Sequence, residues 1–553
     1  MFLFAVVFFK LYTISVSDYA KVLPALTNQY TRRLNVAERR GFIFDRNYSI
    51  IAGFDDAYNC MIDPSKIYSA AISFEEAAKK ISEFFINPDI SKENILENLL
   101  QGKPFIVRIS ENINNDYMMS FRTYKRHDSP NPPAIHITGY VGKTGRGIGG
   151  IEEAYDDFLK KTSSKIDAVY DSNALRQSFG GSPIRIIDYG YNTKTGISLT
   201  IDINLQKKIE EIADRYLNKG AIVVTSAQTG EILASVSRPD YSPENITDYI
   251  ESENGEFINR AFSAFTPGSV FKTIIAAAAL EENIKYYDGE YGCTGEIDAG
   301  GKSFKCHKKS GHGVLTMCEA YAQSCNTYFM NLALEIGYDK IYAMAKKLGI
   351  GEKSFLDGLN VKSGNIPDTI DPPPAFIANT AIGQGELLIT PLEAARIFCC
   401  IANGGVMPEL SLIKSFVFDD KISDMQNYAS KKVLRDDTVA CLLEMTKACV
   451  DHGTGAAALP EYGTAGGKTS SAESGQYQSI KTDAIDPATG EFKTEKVQIV
   501  HSWFSGYYPS PSDFDTPRQI YAISVIAEGG VTENIKATAI FKEICDYLSI
   551  FLR

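Results

Sequence analysis

A chain of 553 residues with 44% apolar side chains is long enough for two or three domains with a substantial core, and its composition excludes extensive disorder. A formal net charge of −12 excludes nucleic-acid binding through a broad basic face. Thirty tyrosines and thirty phenylalanines against one tryptophan lean towards a strand-rich fold, and ten cysteines show no dense disulfide framework.

In chain order, Phe2 to Phe9 are unbroken apolar, Lys10 interrupts, and Leu11 to Val16 continue the trend. A spanning helix needs roughly 20 apolar residues, and the stretch lacks the basic flank and cleavage site of a signal peptide. Residues 1–17 are read as the outer part of a membrane anchor whose cytoplasmic start is missing or very short; a buried strand or helix is the alternative. A basic cluster follows at Arg32, Arg33, Arg39 and Arg40, and residues 40–52 alternate apolar and polar as a strand does. Helical spacing between Ser73 and Leu100 places Ala77, Ile81, Phe84 and Phe85 on one face. Asn131-Pro-Pro133 marks a break before a glycine-rich run at 139–150. There Gly145-x-Gly147-x-x-Gly150 matches a dinucleotide fingerprint in form, but the preceding stretch is short and follows two prolines, so a turn-rich loop is predicted instead.

From Gly196 the character changes. Ile197 to Asp202 reads as a strand, Leu205 to Leu217 as an amphipathic helix, and 220–225 with 230–237 as a hairpin around Gln228-Thr-Gly230. Residues 499–506 and 519–526 supply more strands, and Lys536 to Leu552 a closing helix. This pattern divides the chain into residues 1–17, a non-catalytic module at 18–195 and an α+β domain at 196–553.

Three short segments offer chemistry. Thr266-Pro-Gly268 is a turn followed by an Ala-rich apolar helix, which places Ser269 near a helix N-terminus and Lys272 on the same face. A serine beside a desolvated lysine is one way to make a nucleophile, although the pattern alone favours a capping serine and a solvated lysine. Ser324-Cys-Asn326 presents a hydroxyl and an amide after a helical run. In Gly466-Gly-Lys-Thr-Ser-Ser471, read as an edge strand, Lys468 suits a carboxylate and Thr469 a hydrogen bond to it. That segment imitates a phosphate loop but fails on spacing, since Tyr462 stands where the first glycine is required. Cys399-Cys400 read as buried small apolar residues and Cys293–Cys306 as a candidate disulfide. Cys293, Cys306, His307 and His312 raise zinc, which is not expected because no Cys-x-x-Cys pair is present.

Taken in order, Ser269-x-x-Lys272, Ser324-x-Asn326 and Lys468-Thr469-Ser470 resemble the motif set of β-lactamases and penicillin-binding proteins. Arg40-Gly-x-Ile-x-Asp-Arg-Asn47, His136-Ile-Thr-Gly-Tyr-Val-Gly142 and Gly149-Gly-Ile-Glu152 are similar to the non-catalytic module of class B penicillin-binding proteins. Leu199-Thr-Ile-Asp-x-x-Leu-Gln206, Thr229-Gly-Glu-Ile-Leu-Ala234, Pro267-Gly-Ser-Val-Phe-Lys272, Gly383-Gln-Gly385 and Thr390-Pro391 are similar to their transpeptidase domain.

The resemblance covers nearly the whole chain and implies an α+β fold: an antiparallel sheet with helices, as in β-lactamases, preceded by an elongated pedestal of dimerisation type. It implies a serine D,D-transpeptidase that cross-links peptidoglycan stem peptides ending in D-Ala–D-Ala and binds β-lactams. Ser269 would be the nucleophile, Lys272 its base, Ser324 the proton relay and Asn326 the holder of the substrate amide. Lys468 and Thr469 would take the terminal carboxylate, and the N–H groups of Ser269 and Ser471 would form the oxyanion hole. No metal or organic cofactor is called for. The implied setting is a single-pass membrane protein with its catalytic domain outside the cell, working with a polytopic glycan polymerase. Ser470 departs from the family's glycine, and a side chain there is expected to crowd a close backbone contact or redirect the strand. Alternative readings are a D,D-carboxypeptidase or β-lactamase, in which water takes the acyl group, and a non-catalytic β-lactam sensor or cell-wall scaffold.

Overall fold

The computed structural model describes residues 2–17, 30–84, 91–179, 182–352, 355–419, 421–425, 429–485, 492–513, 518–529 and 536–551. A helix at Phe2–Tyr12 leaves Leu3, Phe4, Phe8 and Phe9 exposed. Among the described residues no helix is long and apolar enough to cross a membrane.

The site is organised by a five-stranded antiparallel sheet in the order Ile232–Arg238, Gly220–Ser226, Tyr521–Ala527, Phe492–Tyr508, Gly466–Ile485. Its side chains alternate between two apolar layers, as the period of two requires. Ala221, Val223, Trp503, Tyr507 and Ile526 enter the core that holds the helices Lys272–Glu282, Asn326–Ile336 and Pro391–Ala402. Ile222, Val224, Phe504, Tyr508 and Val525 face the other way, onto the helices Ile203–Tyr216 and Ala537–Leu548. Each such aliphatic side chain contributes about 1.5–3 kcal/mol relative to exposure. A sheet covered on both faces cannot shift register without exposing one layer, and this holds the edge strand Gly466–Ile485 in place.

The N-terminal region includes two three-stranded sheets. Ser164–Asp171 lies between Thr31–Arg39 and Arg185–Asp188, and Phe54–Ile62 lies between Phe105–Ile109 and Met118–Lys125. Residues of the Arg40–Asn47 segment quoted for the family resemblance help tie this region to the rest. Phe42–Phe44 pairs in parallel with Gly196–Leu199, which also pairs with Ile413–Phe418. Arg46 forms an ion pair with Glu231 at 3.1 Å, and the Ser198 hydroxyl donates to Asp45 O at 2.8 Å. Glu152 has no exposed surface and bridges Arg40, at 2.8 Å, and Arg126. The boundary drawn near 195 therefore falls where strands from both sides share a sheet and a core.

Two local expectations are refined. Residues 40–52 form a hairpin, Phe42–Phe44 with Ile50–Ala52, because Asp45 Oδ1 accepts from the backbone of Asn47 at 2.8 Å and Ser49 at 2.7 Å and closes a turn. The helical stretch at 73–100 is two helices, Phe74–Ser82 capped by Ser73 and Lys92–Leu100 capped by Ser91. The sequence places Pro88 between them, and proline opposes helix at the residue before it. Ala77 and Ile81 are buried and Phe84 packs beside them, whereas Phe85 lies outside the described residues. The glycine-rich run forms a short hairpin, Tyr140–Val141 with Gly147–Ile148, and the helices expected at 205–217 and 536–552 are found at Ile203–Tyr216 and Ala537–Leu548.

Glu152→Ala would leave the Arg126 guanidinium without its carboxylate, while Arg40 keeps Asp156 at 2.7 Å. It is expected to cost about 3–5 kcal/mol, read as a clear fall in the thermal midpoint, and a midpoint equal to wild type would contradict this role.

Candidate active site

Ser269 lies in a 3₁₀ turn, Gly268–Phe271, that runs directly into the helix Lys272–Glu282. Side chains three apart eclipse in such a turn, so Lys272 stands beneath Ser269. Lys272 to Leu280 are all buried, as expected of a helix apolar on every side. The Lys272 ammonium therefore sits in the core, with no exposed surface and, among the described residues, no ion pair. Its Nζ donates to Ser324 O and Asn326 Oδ1, both at 2.7 Å, and to Ser324 Oγ at 3.2 Å. Burial drives its pKa well below the ordinary lysine value, and nearby Lys468 pushes it further the same way; Cys306 and Cys325 act in the opposite sense.

Ser324 joins the helices Met317–Ala322 and Asn326–Ile336 and adopts a left-handed φ of 55°, a strained conformation for a serine. This conformation aims its hydroxyl at the nucleophile, and Ser324 Oγ donates to Ser269 Oγ at 3.1 Å. The three groups form one line, Lys272 Nζ to Ser324 Oγ to Ser269 Oγ.

The opposite wall is the edge strand, as expected. Lys468 has no exposed surface, and its Nζ contacts Thr469 O at 3.1 Å and Thr469 Oγ1 at 3.4 Å. Burial lowers its pKa as well. Ser269, Ser324, Asn326, Thr469, Ser470 and Ser471 line a single cleft of about 880 Å³, with the two lysines buried behind it. Ser470 does not redirect the strand, which keeps its register opposite Trp503. Its Oγ accepts from the backbone N–H of Ser269 at 2.8 Å.

Sequence reasoning missed Thr454. Its N–H donates to Ala322 O at 2.9 Å and its hydroxyl meets that of Thr469 at 2.6 Å, so it links the Ser324 turn to the strand. The only signal was the Gly453-Thr-Gly455 punctuation after the helix Asp436–Asp451. His307 and Gln384 also line the cleft.

The cysteine expectations are corrected. Cys293 and Cys306 are free thiols, not a disulfide. With His312 and Cys325 their ligand atoms all lie within 4.8 Å of one another. Cys293 Sγ and Cys306 Sγ are each 3.5 Å from His312 Nδ1, and Cys306 Sγ is 3.9 Å from Cys325 Sγ. The hydrogen bond between Cys306 and Cys325 lowers the pKa of the Cys306 thiol and raises that of Cys325. Three sulfurs and one imidazole, mostly buried, are the donor set of a structural zinc site. The sequence argument looked for a Cys-x-x-Cys pair, whereas these four residues come from separate short segments. It also counted His307, which points to the cleft, in place of Cys325, which lies between Ser324 and Asn326.

The sequence model described as penicillin binding protein transpeptidase domain matches residues 220–546, and the chain belongs to that family. The chain is similar to stage V sporulation protein D of Bacillus subtilis, 26% identical over 477 residues that span 82% of this chain and 72% of that protein. It is also similar to the peptidoglycan D,D-transpeptidase MrdA of Acinetobacter baumannii, 28% identical over 462 residues, 74% of this chain and 64% of that one. Among solved structures, a chain of a peptidoglycan synthase complex that coordinates polymerization and crosslinking aligns with a TM-score of 0.69 at 22% identity, covering 100% of this chain and 96% of that one. That likeness shows the fold, an α+β transpeptidase domain with its N-terminal module.

The purified chain is expected to carry one equivalent of zinc by elemental analysis, and Cys306→Ser to lose it with a lower thermal midpoint. Metal-free protein of unchanged midpoint would contradict the zinc assignment.

Proposed function

We propose that this chain is a serine-type peptidoglycan D,D-transpeptidase of the class B penicillin-binding type. The observation that carries the reading is the hydrogen-bonded line from Lys272 through Ser324 to Ser269 at the floor of a cleft whose other wall bears Thr469. As Ser269 Oγ bonds to the carbonyl carbon of the D-Ala–D-Ala peptide bond, its proton passes to the Ser324 hydroxyl, which gives its own to the uncharged Lys272. Ser324, in contact with both groups, passes a proton to the departing amine, and D-Ala leaves an acyl-enzyme. Asn326, at the cleft surface, holds the substrate amide. Thr469 takes the terminal carboxylate, with Lys468 behind it supplying positive potential through the Thr469 hydroxyl. Backbone N–H groups of Ser269 and Ser471 stabilise the oxyanion. The amine of a neighbouring stem peptide then replaces the Ser269 ester and forms the cross-link.

In this reading residues 196–553 are the catalytic domain and 18–195 the pedestal. Residues 1–17, with exposed Leu3, Phe4, Phe8 and Phe9, belong to a single-pass anchor that leaves the catalytic domain outside the cell. A membrane-embedded glycan polymerase is the working partner.

A fluorescent penicillin is expected to label the wild type and not Ser269→Ala; a labelled Ser269→Ala would show that the nucleophile lies elsewhere. Lys272→Ala is expected to slow acylation by about 10²–10⁴-fold, the usual worth of a general base. The amine is active when neutral, and its lowered pKa places that form at lower pH than an ordinary lysine allows. Acylation is therefore expected to reach its plateau well below pH ~10.4. A rate that climbs only through the ordinary lysine range would contradict the assignment.

A further inference from the structure

Ser470 stands where the family resemblance expects glycine, and the position of its hydroxyl has a consequence for the chemistry. Lys468, Ser470 and Ala472 share the inward side of the edge strand, with 0%, 5% and 0% of their surface exposed. On that side the strand meets the turn that carries the nucleophile. Gly268 has a φ of 53°, and a Cβ there would lie 2.2 Å from Ser470 Oγ and 3.1 Å from the Ala472 Cβ. The space for the Ser470 hydroxyl exists because residue 268 has no side chain. In that space Ser470 Oγ accepts the hydrogen of Ser269 N at 2.8 Å.

The Ser269 N–H belongs to the residue whose Oγ attacks the carbonyl, at the start of the turn leading into the helix Lys272–Glu282. When the Ser269 Oγ–C bond forms and the carbonyl π pair moves to oxygen, the new oxyanion lies beside this donor. An N–H at the start of a helix suits an anion better than a neutral hydroxyl. In the resting enzyme the donor is nevertheless spent on Ser470.

We infer that the Ser470 hydroxyl is an internal ligand of the oxyanion donor, which the carbonyl oxygen of a stem peptide or β-lactam must displace before Ser269 can be acylated. Ser470 is thus a specificity-determining residue acting through Ser269 N: it slows acylation and favours substrates whose carbonyl oxygen is held firmly enough to compete. The inference rests on the transpeptidase reading and sharpens it. Displacement requires a rotation about χ1 of Ser470 and no movement of the strand.

The test is the acylation time course with a fluorescent penicillin across a concentration series, separating the acylation rate constant from the initial Kd. Ser470→Ala keeps Cβ and removes the hydroxyl; Ser470→Gly removes both. Both are expected to raise the acylation rate constant by about three- to tenfold, which at 1.36 kcal/mol per tenfold is about 0.6–1.4 kcal/mol, with Kd and the shape of the pH profile unchanged. A purely structural role would move the thermal midpoint and leave the rate constant alone. An Ala variant that acylates at the wild-type rate or more slowly overturns the inference. Acceleration in Gly but not in Ala also overturns it, because Cβ bulk would then be responsible. Should Ala fail to fold, a Ser470→Gly variant that does not accelerate, or a Ser470→Thr variant, which retains the hydroxyl, that does, overturns the inference. Labelling of wild type but not of Ser269→Ala keeps the transpeptidase reading intact whichever way these rates fall. Absence of labelling in wild type and every Ser470 variant contradicts both.

Discussion

Lys272 has no exposed surface and, among the described residues, no carboxylate at ion-pair distance. An amine in that position is costly to keep charged; when neutral, its two N–H groups serve Ser324 O and Asn326 Oδ1, and its lone pair faces the Ser324 hydroxyl. Much of the surrounding fold can be understood as maintaining this arrangement. The helix that begins at Lys272 is apolar on every side and fills the core. The left-handed conformation of Ser324 turns its carbonyl and hydroxyl towards Nζ. The second buried lysine, Lys468, adds repulsion that lowers the Lys272 pKa further. These features keep the amine desolvated beside a hydroxyl that reaches the nucleophile.

The cleft needs two walls at a fixed separation, and the sheet supplies it. The strand Gly466–Ile485 is an edge strand, but the strand beside it presents Trp503 and Tyr507 to one core and Phe504 and Tyr508 to the other. Thr454 then bridges the walls, with its backbone bound to the Ser324 side and its hydroxyl to Thr469. Asp45 and Arg46 fasten the N-terminal region to the rest, and Glu152 holds two of its own arginines together, each within a signature segment. The segment that holds Asp45 and Arg46 marks where the two regions join.

Local patterning made the alternating strands 220–226 and 232–238, the amphipathic helix Ile203–Tyr216 and the Ser269 helix legible. Ser269, Lys272, Ser324, Asn326, Thr469 and Ser471 were legible because their spacing is itself the motif. Contacts created by long-range closure were not. Thr454 acts through partners at 322 and 469, and Cys325 meets Cys293, Cys306 and His312 only once several short strands have folded together. Ser470 was identified as a departure, but its effect was not, because the room for its hydroxyl depends on the missing side chain of Gly268. The hairpin at 42–52 and the break between the helices of 74–100 were missed for a simpler reason. A period extends through a short turn unless the turn's own hydrogen bonds are considered.

The central claim is that Lys272 is uncharged when Ser269 reacts. The most direct measurement is the NMR titration of the Lys272 side chain in protein labelled at lysine, assigned by comparison with Lys272→Arg. The account predicts a resonance that passes to the neutral-amine form well below the pH at which an exposed lysine does. An ammonium resonance that persists until pH ~10, the ordinary range of an exposed lysine, would contradict it.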